Sequence, residues 1–183
     1  MLRKVSVLRL GHRYPRDARV STHLALVSWA FGIDELIYTG DRDVEFESNV
    51  GRIISKWGSK FVIRYEDNYR DIIKQYKSKD YRIIHLTMYG VNVNYLMDEL
   101  LNISKHLVVV GGQKVPGEIF RLSDFNVAIG GLPHSEISAL AVYLDRIYMG
   151  IQLERHPSVS RSIVQMKLGK KIVEDNDLNY SSH

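Results

Sequence analysis

The chain contains no cysteine among its 183 residues. Disulfides, thiolate zinc sites and a cysteine nucleophile are therefore excluded, and a reducing interior is compatible with the composition. No stretch approaches 18 consecutive apolar residues, so no transmembrane helix is expected. The start, Met1-Leu2-Arg3-Lys4-Val5-Ser6-Val7, carries two charges and lacks an apolar run of signal-peptide length. A cytoplasmic location is the expectation. The sequence also lacks a G-x-G-x-x-G fingerprint and a P-loop. Its seven histidines (His12, His23, His85, His106, His134, His156 and His183) show neither H-x-x-x-H nor H-x-H spacing. Metal catalysis is not expected. Internal repeats and low-complexity tracts are absent.

What is present suits a globular domain. Hydrophobic residues make up 45% of the chain and charged residues 25%, enough for a substantial core under a soluble surface. The net charge is +4 and the pI about 9.2. A basic domain fits a polyanionic partner, although a soluble protein that happens to be basic fits the charge equally well.

Periodicity divides the chain into alternating strands and helices. Strands are predicted at Val5–Leu10, Leu36–Thr39, Phe61–Tyr65, Arg82–Leu86, Leu107–Val110 and Phe125–Ile129. Between the first two, Ser21 or Thr22 can cap a helix that ends at Gly32. Phe46, Val50, Ile53, Ile54 and Trp57 recur on one helical face. Tyr69, Ile72, Ile73 and Tyr76 mark a further helix, as do Val93, Leu96, Met97 and Leu100. Pro116 suits the first turn of a short one. Strand–helix alternation of this kind implies an α/β domain whose mostly parallel sheet is flanked by helices. Residues 1–150 read as that single domain. Residues 151–183 read as a C-terminal extension with a short strand near Ile163–Met166, a basic patch of Lys167, Lys170 and Lys171, and a polar, frayed tail.

Three late strands end in unusual loops: "LTMYG", "VGGQKVP" and "IGGLPHSE". Ligands of open α/β sheets bind outside the carboxyl ends of the strands, so these loops form the expected site. The neighbours His134 and Ser135 do not make a hydrolase pair, because side chains that face each other on a helix lie three or four apart. Ser135 is instead expected to cap the last helix, with Glu136 complementing its positive end. That helix carries Ile137, Leu140, Ala141, Leu144, Ile147 and Tyr148 on one face, with Ala139, Val142 and Tyr143 beside it. Apolar surface nearly all round predicts burial on more than one side, in the core or at a subunit interface. The loop "GHRYPRDAR" concentrates cations whose arginine forks match phosphate oxygens.

Four segments, "VLRLGHRYPRDARVSTHLAL", "HLTMYG", "VVVGGQKVPGEIF" and "GGLPHSEISALAVYLDR", resemble the signatures of the archaeal tRNA (cytidine-56-2'-O)-methyltransferases of the SPOUT superfamily, over about Val5 to Val173. The resemblance implies a SPOUT-type fold with a deep C-terminal trefoil knot and a homodimer. It implies S-adenosylmethionine held in the knot, and tRNA methylated on a ribose hydroxyl of the TΨC loop. By position it implies cofactor contacts at Leu86, Thr87, Gly111, Gly112, Gln113, Lys114 and Val115, and at Ile129, Gly130, Gly131, Leu132, Pro133, His134, Ser135 and Glu136. Arg16 and Arg19 are the implied catalytic arginines. His12, Arg13 and His23, together with Lys167, Lys170 and Lys171, are the expected tRNA contacts. At Gly131-Leu132 the family pattern has Asn-Gln, so only a backbone role carries over there. A SPOUT methyltransferase acting on a base or on ribosomal RNA, and a catalytically silent RNA-binding module, are the competing readings.

Overall fold

A computed structural model describes residues 3–112, 114–154 and 159–174. The alternation read from the sequence is realised in it. The order is β1 (Lys4–His12), α1 (Ala18–Ala30), β2 (Glu35–Gly40), α2 (Val44–Ser55), β3 (Val62–Tyr65), α3 (Tyr69–Lys77), β4 (Arg82–Asn92) and α4 (Val93–Leu101). Then follow β5 (Lys105–Gly111), α5 (Ile119–Leu122), β6 (Phe125–Ala128), α6 (Glu136–Tyr148), a 3-10 turn at Ile151–Leu153, β7 (Arg161–Val164) and β8 (Lys171–Glu174). Six strands form one parallel sheet in the order β3-β2-β1-β5-β4-β6. Helices cover both faces, as a parallel sheet requires.

Strand alternation sorts the core into two layers. Val5, Val7, Ile84, Val108 and Val110 pack with residues of α1, α2, α4 and α6. Leu8, Leu10, Ile83, Leu107 and Val109 pack with α3 and α5. β1 and β5 run in register from Lys4↔Lys105 to Leu10↔Gly111. Their carboxyl ends are therefore flush, and the loop "GHRYPRDAR" emerges beside Gly112.

Three local expectations are corrected. The first helix starts at Ala18 with Asp17 at its N-cap, earlier than a Ser21 or Thr22 cap allows. Ser21 instead turns inward to His12, and Thr22 Oγ1 bonds back to the Ala18 carbonyl. β4 does not stop at Leu86. After a four-residue excursion it pairs again with β6, so that Val127 faces both Leu86 and Val91. Gly90 makes this possible: a Cβ there would lie 2.5 Å from the Asn126 carbonyl carbon, closer than any side chain permits. Lastly, Lys171 is the first residue of a strand, β8, that periodicity does not reveal. β8 pairs only with β7, antiparallel. This hairpin is joined to the main body by a hydrogen bond from Ser160 N to the Trp57 carbonyl.

α6 is chiefly a core helix. Leu140, Tyr143, Leu144 and Ile147 are buried in their own chain, so Tyr143 does not belong to an exposed second face. Its hydroxyl donates to His106 Nδ1 at 2.7 Å, while His106 Nε2 donates to the Ile103 carbonyl at 3.1 Å. Both ring nitrogens are thus satisfied in the neutral form. Burial lowers the His106 pKa to about 4 from 6.5, against the opposing bond to Ile103. The fold holds the neutral ring, so its stabilisation is complete above pH 6.5 and is lost as the pH falls towards 4. The loss amounts to about 3 kcal/mol. Urea unfolding of the wild type should show this decline between pH 7 and 4. In His106→Gln that component should vanish; an unchanged acid slope in the variant would assign the decline to other groups.

Candidate active site

A cavity of about 420 Å³ opens at the carboxyl ends of β4, β5 and β6. It falls within the range typical of small-molecule sites, roughly 300–1,000 Å³. The three loops singled out by sequence do converge here. Leu86, Thr87, Gly111, Gly112, Val115, Ile129, Pro133, His134, Ser135 and Glu136 line it. Lys114, Gly130, Gly131 and Leu132 are not in the lining, and Leu132 is 77% exposed. Gln113 lies outside the described residues.

Each loop is shaped by identifiable contacts. A Cβ on Gly111 would meet the Val115 side chain at 2.4 Å, and one on Gly112 would stand 3.3 Å from Glu136 Oε1. Backbone therefore forms this wall, and a side chain at either position would have to displace Val115 or Glu136. Gly130 adopts φ +75, a conformation that glycine enters without strain. His134 Nε2 then donates to the Ile129 carbonyl and closes the loop. Ser135 is the N-cap of α6, its hydroxyl accepting from Ser138 N at 3.1 Å. The capping role read from "PHSE" is correct, and neither side chain is arranged as a nucleophile with its base.

A Ser-His-Asp constellation does occur, but elsewhere. His12 Nδ1 lies 2.8 Å from Ser21 Oγ and its Nε2 3.1 Å from Asp43 Oδ2. All three residues are buried, and His12 and Ser21 are 0% exposed. No substrate reaches a group so enclosed, so the trio clamps β1 to α1 and α2. This corrects the expectation for His12: its ring is not available to a tRNA phosphate.

The electrostatic centre of the site is a residue that sequence patterning does not single out. Arg9, in the middle of β1, is 1% exposed. Its guanidinium lies 3.6 Å from Asp17 and 3.8 Å from Glu136, donates to the Leu10 carbonyl at 3.0 Å, and leaves Nε without a partner among the described residues. Burial lowers its pKa, against the attraction of Glu136 and Asp17. Burial pushes the Asp17 carboxyl up, but the hydrogen bond and charge of Arg13, with Arg9, bring it below its ordinary value. Arg13 donates to Asp17 at 3.0 Å and comes within 3.9 Å of a Cβ built on Gly112. Arg9 thus joins the first motif, through Asp17, to the cavity wall, through Glu136.

The cavity has a second feature that patterning does not reveal. His85 and Asn126 face each other across β4 and β6 and are bonded at 2.9 Å. His85 lines the cavity together with Phe120, Met88 and Tyr89. In the sequence His85 is a lone histidine within a strand, and nothing in its spacing marks it.

Other expected site residues stand apart. Arg16, Arg19 and His23 are exposed, Arg16 in the turn before α1 and the other two on α1. None of them borders the cavity of its own chain. Lys167, Lys170 and Lys171 are exposed on the β7–β8 hairpin. Among the described residues no cluster of three His, Asp or Glu can hold a metal, and no helix is long and apolar enough to cross a membrane.

Comparison with known proteins is consistent with this geometry. Residues 57–173 match the model of the tRNA ribose 2'-O-methyltransferase family, aTrm56. The chain is 44% identical over 167 residues to a tRNA (cytidine(56)-2'-O)-methyltransferase of Methanopyrus kandleri, covering 91% of this chain and 94% of that protein. It is 42% identical over 175 residues to the protein of that name from Methanocaldococcus jannaschii, covering 93% and 97%. In structure it is similar to an AdoMet-bound rRNA methyltransferase from Sinorhizobium meliloti, with a TM-score of 0.62 at 17% identity over 81% of this chain and 57% of that one. At that identity the likeness shows the fold, and the sequence matches carry the rest: the chain belongs to the tRNA ribose 2'-O-methyltransferase family.

Proposed function

We propose that the protein transfers a methyl group from S-adenosylmethionine to a tRNA ribose 2'-hydroxyl, that of cytidine 56 in the TΨC loop. The observation that carries this reading is the cavity, built from the three loops whose sequences match the family and walled by glycine backbone. The residues present fit the cofactor. Backbone of Leu86, Thr87, Gly111, Gly112 and Val115, and of Ile129, Pro133, His134 and Ser135, would hold it, with Lys114, Gly130, Gly131 and Leu132 in the same loops but off the lining. The Glu136 carboxylate offers a countercharge to its cationic groups, and the apolar walls suit a base. When bound, the cofactor would supply a sulfonium methyl group whose carbon the ribose oxygen could attack in line, with S-adenosylhomocysteine as the leaving group and the hydroxyl proton passing to a base.

Arg19 and Arg16 are proposed to act at that hydroxyl. An arginine, with a pKa above about 12, is a poor base. Its work is to stabilise the developing alkoxide and orient the ribose. Among the described residues neither has an ion-pair partner, so both guanidinium groups are free to meet RNA. Arg13, His23, Lys167, Lys170 and Lys171 are proposed to contact phosphates.

The finer architecture is also a proposal. A trefoil knot is proposed from the family resemblance; Gly90, lying against the β6 backbone at Asn126 and Val127, is the close approach in the structure that suits it. Residues 1–150 would form the methyltransferase domain and residues 151–183 an RNA-binding extension. A homodimer is supported by exposed apolar side chains running from α6 into the following turn: Val142, Met149, Ile151 and Leu153. Work on tRNA implies a cytoplasmic setting.

Incubation with labelled S-adenosylmethionine, followed by mass spectrometry of tRNA digests, should give 2'-O-methylcytidine at one site. A methylated base, or no product, would overturn the reading. In single turnovers at saturating tRNA, Arg19→Ala should slow transfer by about 10²–10³ while cofactor affinity is retained. Saturation hides a pure binding defect, so a near-wild-type rate would remove Arg19 from the reacting hydroxyl and move the test to Arg16. Sedimentation equilibrium at micromolar concentration should return twice the chain mass, and Met149→Glu with Ile151→Glu should shift it towards the monomer. A wild-type monomer would end the dimer proposal.

A further inference from the structure

His85 is a cavity-lining side chain whose hydrogen-bonding capacity is fixed on one side and open on the other. Asn126 sets the fixed side. Its amide nitrogen donates to the Phe120 carbonyl at 2.9 Å, and a carbonyl can only accept. The amide oxygen therefore faces His85, and His85 Nδ1 must carry the proton that it donates across 2.9 Å. In the neutral ring this leaves Nε2 as a bare acceptor. Burial disfavours the charged ring, against the opposing effect of the Asn126 bond. The Phe120 ring meets the imidazole edge-on, 4.9 Å between centroids at 86°, so the ring plane is fixed as well.

Nε2 has no partner among the described residues, although His85 is 1% exposed. It is not one of the enclosed orphan atoms, which among the described residues are Arg3 Nε, Arg9 Nε and Gln152 Oε1. His85 lines the cavity, and with Nδ1 held by Asn126 Nε2 is the ring nitrogen it can present there. The other titratable groups in the lining, Tyr89, His134 and Glu136, make no bond to it. An acceptor so placed is costly to leave unmatched when a ligand displaces water from it. It selects a ligand with an N–H or O–H at that position.

The surroundings say which part of the cofactor that is. Phe120 packs directly on the His85 ring, and Leu86, Val127 and Ile129 add apolar surface elsewhere in the same lining, as a planar base requires. Glu136, the anion that suits the cationic methionyl end, stands at Gly112 on another part of the lining. We infer that His85 Nε2 accepts a hydrogen bond from the exocyclic amino group of the cofactor's adenine, making His85 a specificity-determining residue held in its working tautomer by Asn126. This rests on the reading that the cavity holds S-adenosylmethionine.

The test compares two ligands in two proteins by calorimetry. The ligands are S-adenosylhomocysteine and its 6-deamino analogue, in which hydrogen replaces the purine amino group. Wild type should bind the deamino analogue about 10-fold more weakly, within the range for a buried acceptor left unpaired. In His85→Phe both ligands should bind within about twofold of each other. General damage to the cavity weakens both ligands alike and leaves their ratio at the wild-type value, an outcome that would overturn the inference. A second measurement needs no variant: the ¹⁵N resonance of His85 Nε2 in the wild type should move from the position of a bare acceptor when S-adenosylhomocysteine is added. An unmoved resonance in the saturated protein would also overturn it, with the cofactor reading intact. If the wild type binds no S-adenosylhomocysteine at millimolar concentration, the reading of the cavity itself fails.

Discussion

The site depends on a buried charge. Arg9 sits between Leu8 and Leu10 in the buried stretch of β1, in the centre of a parallel sheet, where an unpaired guanidinium would be very costly. Two carboxylates offset that cost. One, Asp17, comes from the loop before α1, and the other, Glu136, from the first turn of α6. Since one side chain needs both, the first motif and the last cannot move independently. Buried ion pairs are weak evidence for stability, but they tie elements in one register, and here the elements tied are the cavity wall and the cationic loop beside it.

The Arg9 contacts are long, at 3.6 and 3.8 Å, whereas Arg13 holds Asp17 at 3.0 Å. The cluster carries two positive and two negative charges and adjoins Gly112. A side chain at that glycine would press on Glu136. The backbone wall and the charge cluster therefore constrain each other: the glycine gives the carboxylate room, and the arginine keeps it in place. The buried His12 clamp serves the same end from the other side, fastening the end of β1 to α1 and α2 so that the cationic loop leaves from a rigid base.

On the far side of β4 a neutral network does comparable work. The His85–Asn126–Phe120 chain fixes a tautomer without any net charge. The two ends of the cavity are thus chemically unlike, one anionic at Glu136 and one apolar with a single acceptor at His85. Such asymmetry orients an asymmetric ligand.

The alternation of strands and helices, the parallel sheet, the three ligand loops and the Ser135 cap are readable from the residues in order. These rest on local signals: period-2 and period-3.6 patterning, glycine pairs at strand ends and a capping serine. The sequence also carries the family, because motif residues recur in order along the chain. The roles of Arg9, His12 and His85 emerge only once the chain is folded. Each is a polar residue within or at the end of a strand, and patterning cannot say whether it faces solvent, a partner or a cavity. Arg9 meets Glu136 across 127 positions of chain, and His85 meets Asn126 across 41. The second run of β4 past Leu86 was hidden for the same reason, since it depends on Gly90 touching the backbone of β6. Pairings at such separation follow from how strands are ordered in the sheet, which local propensity does not encode.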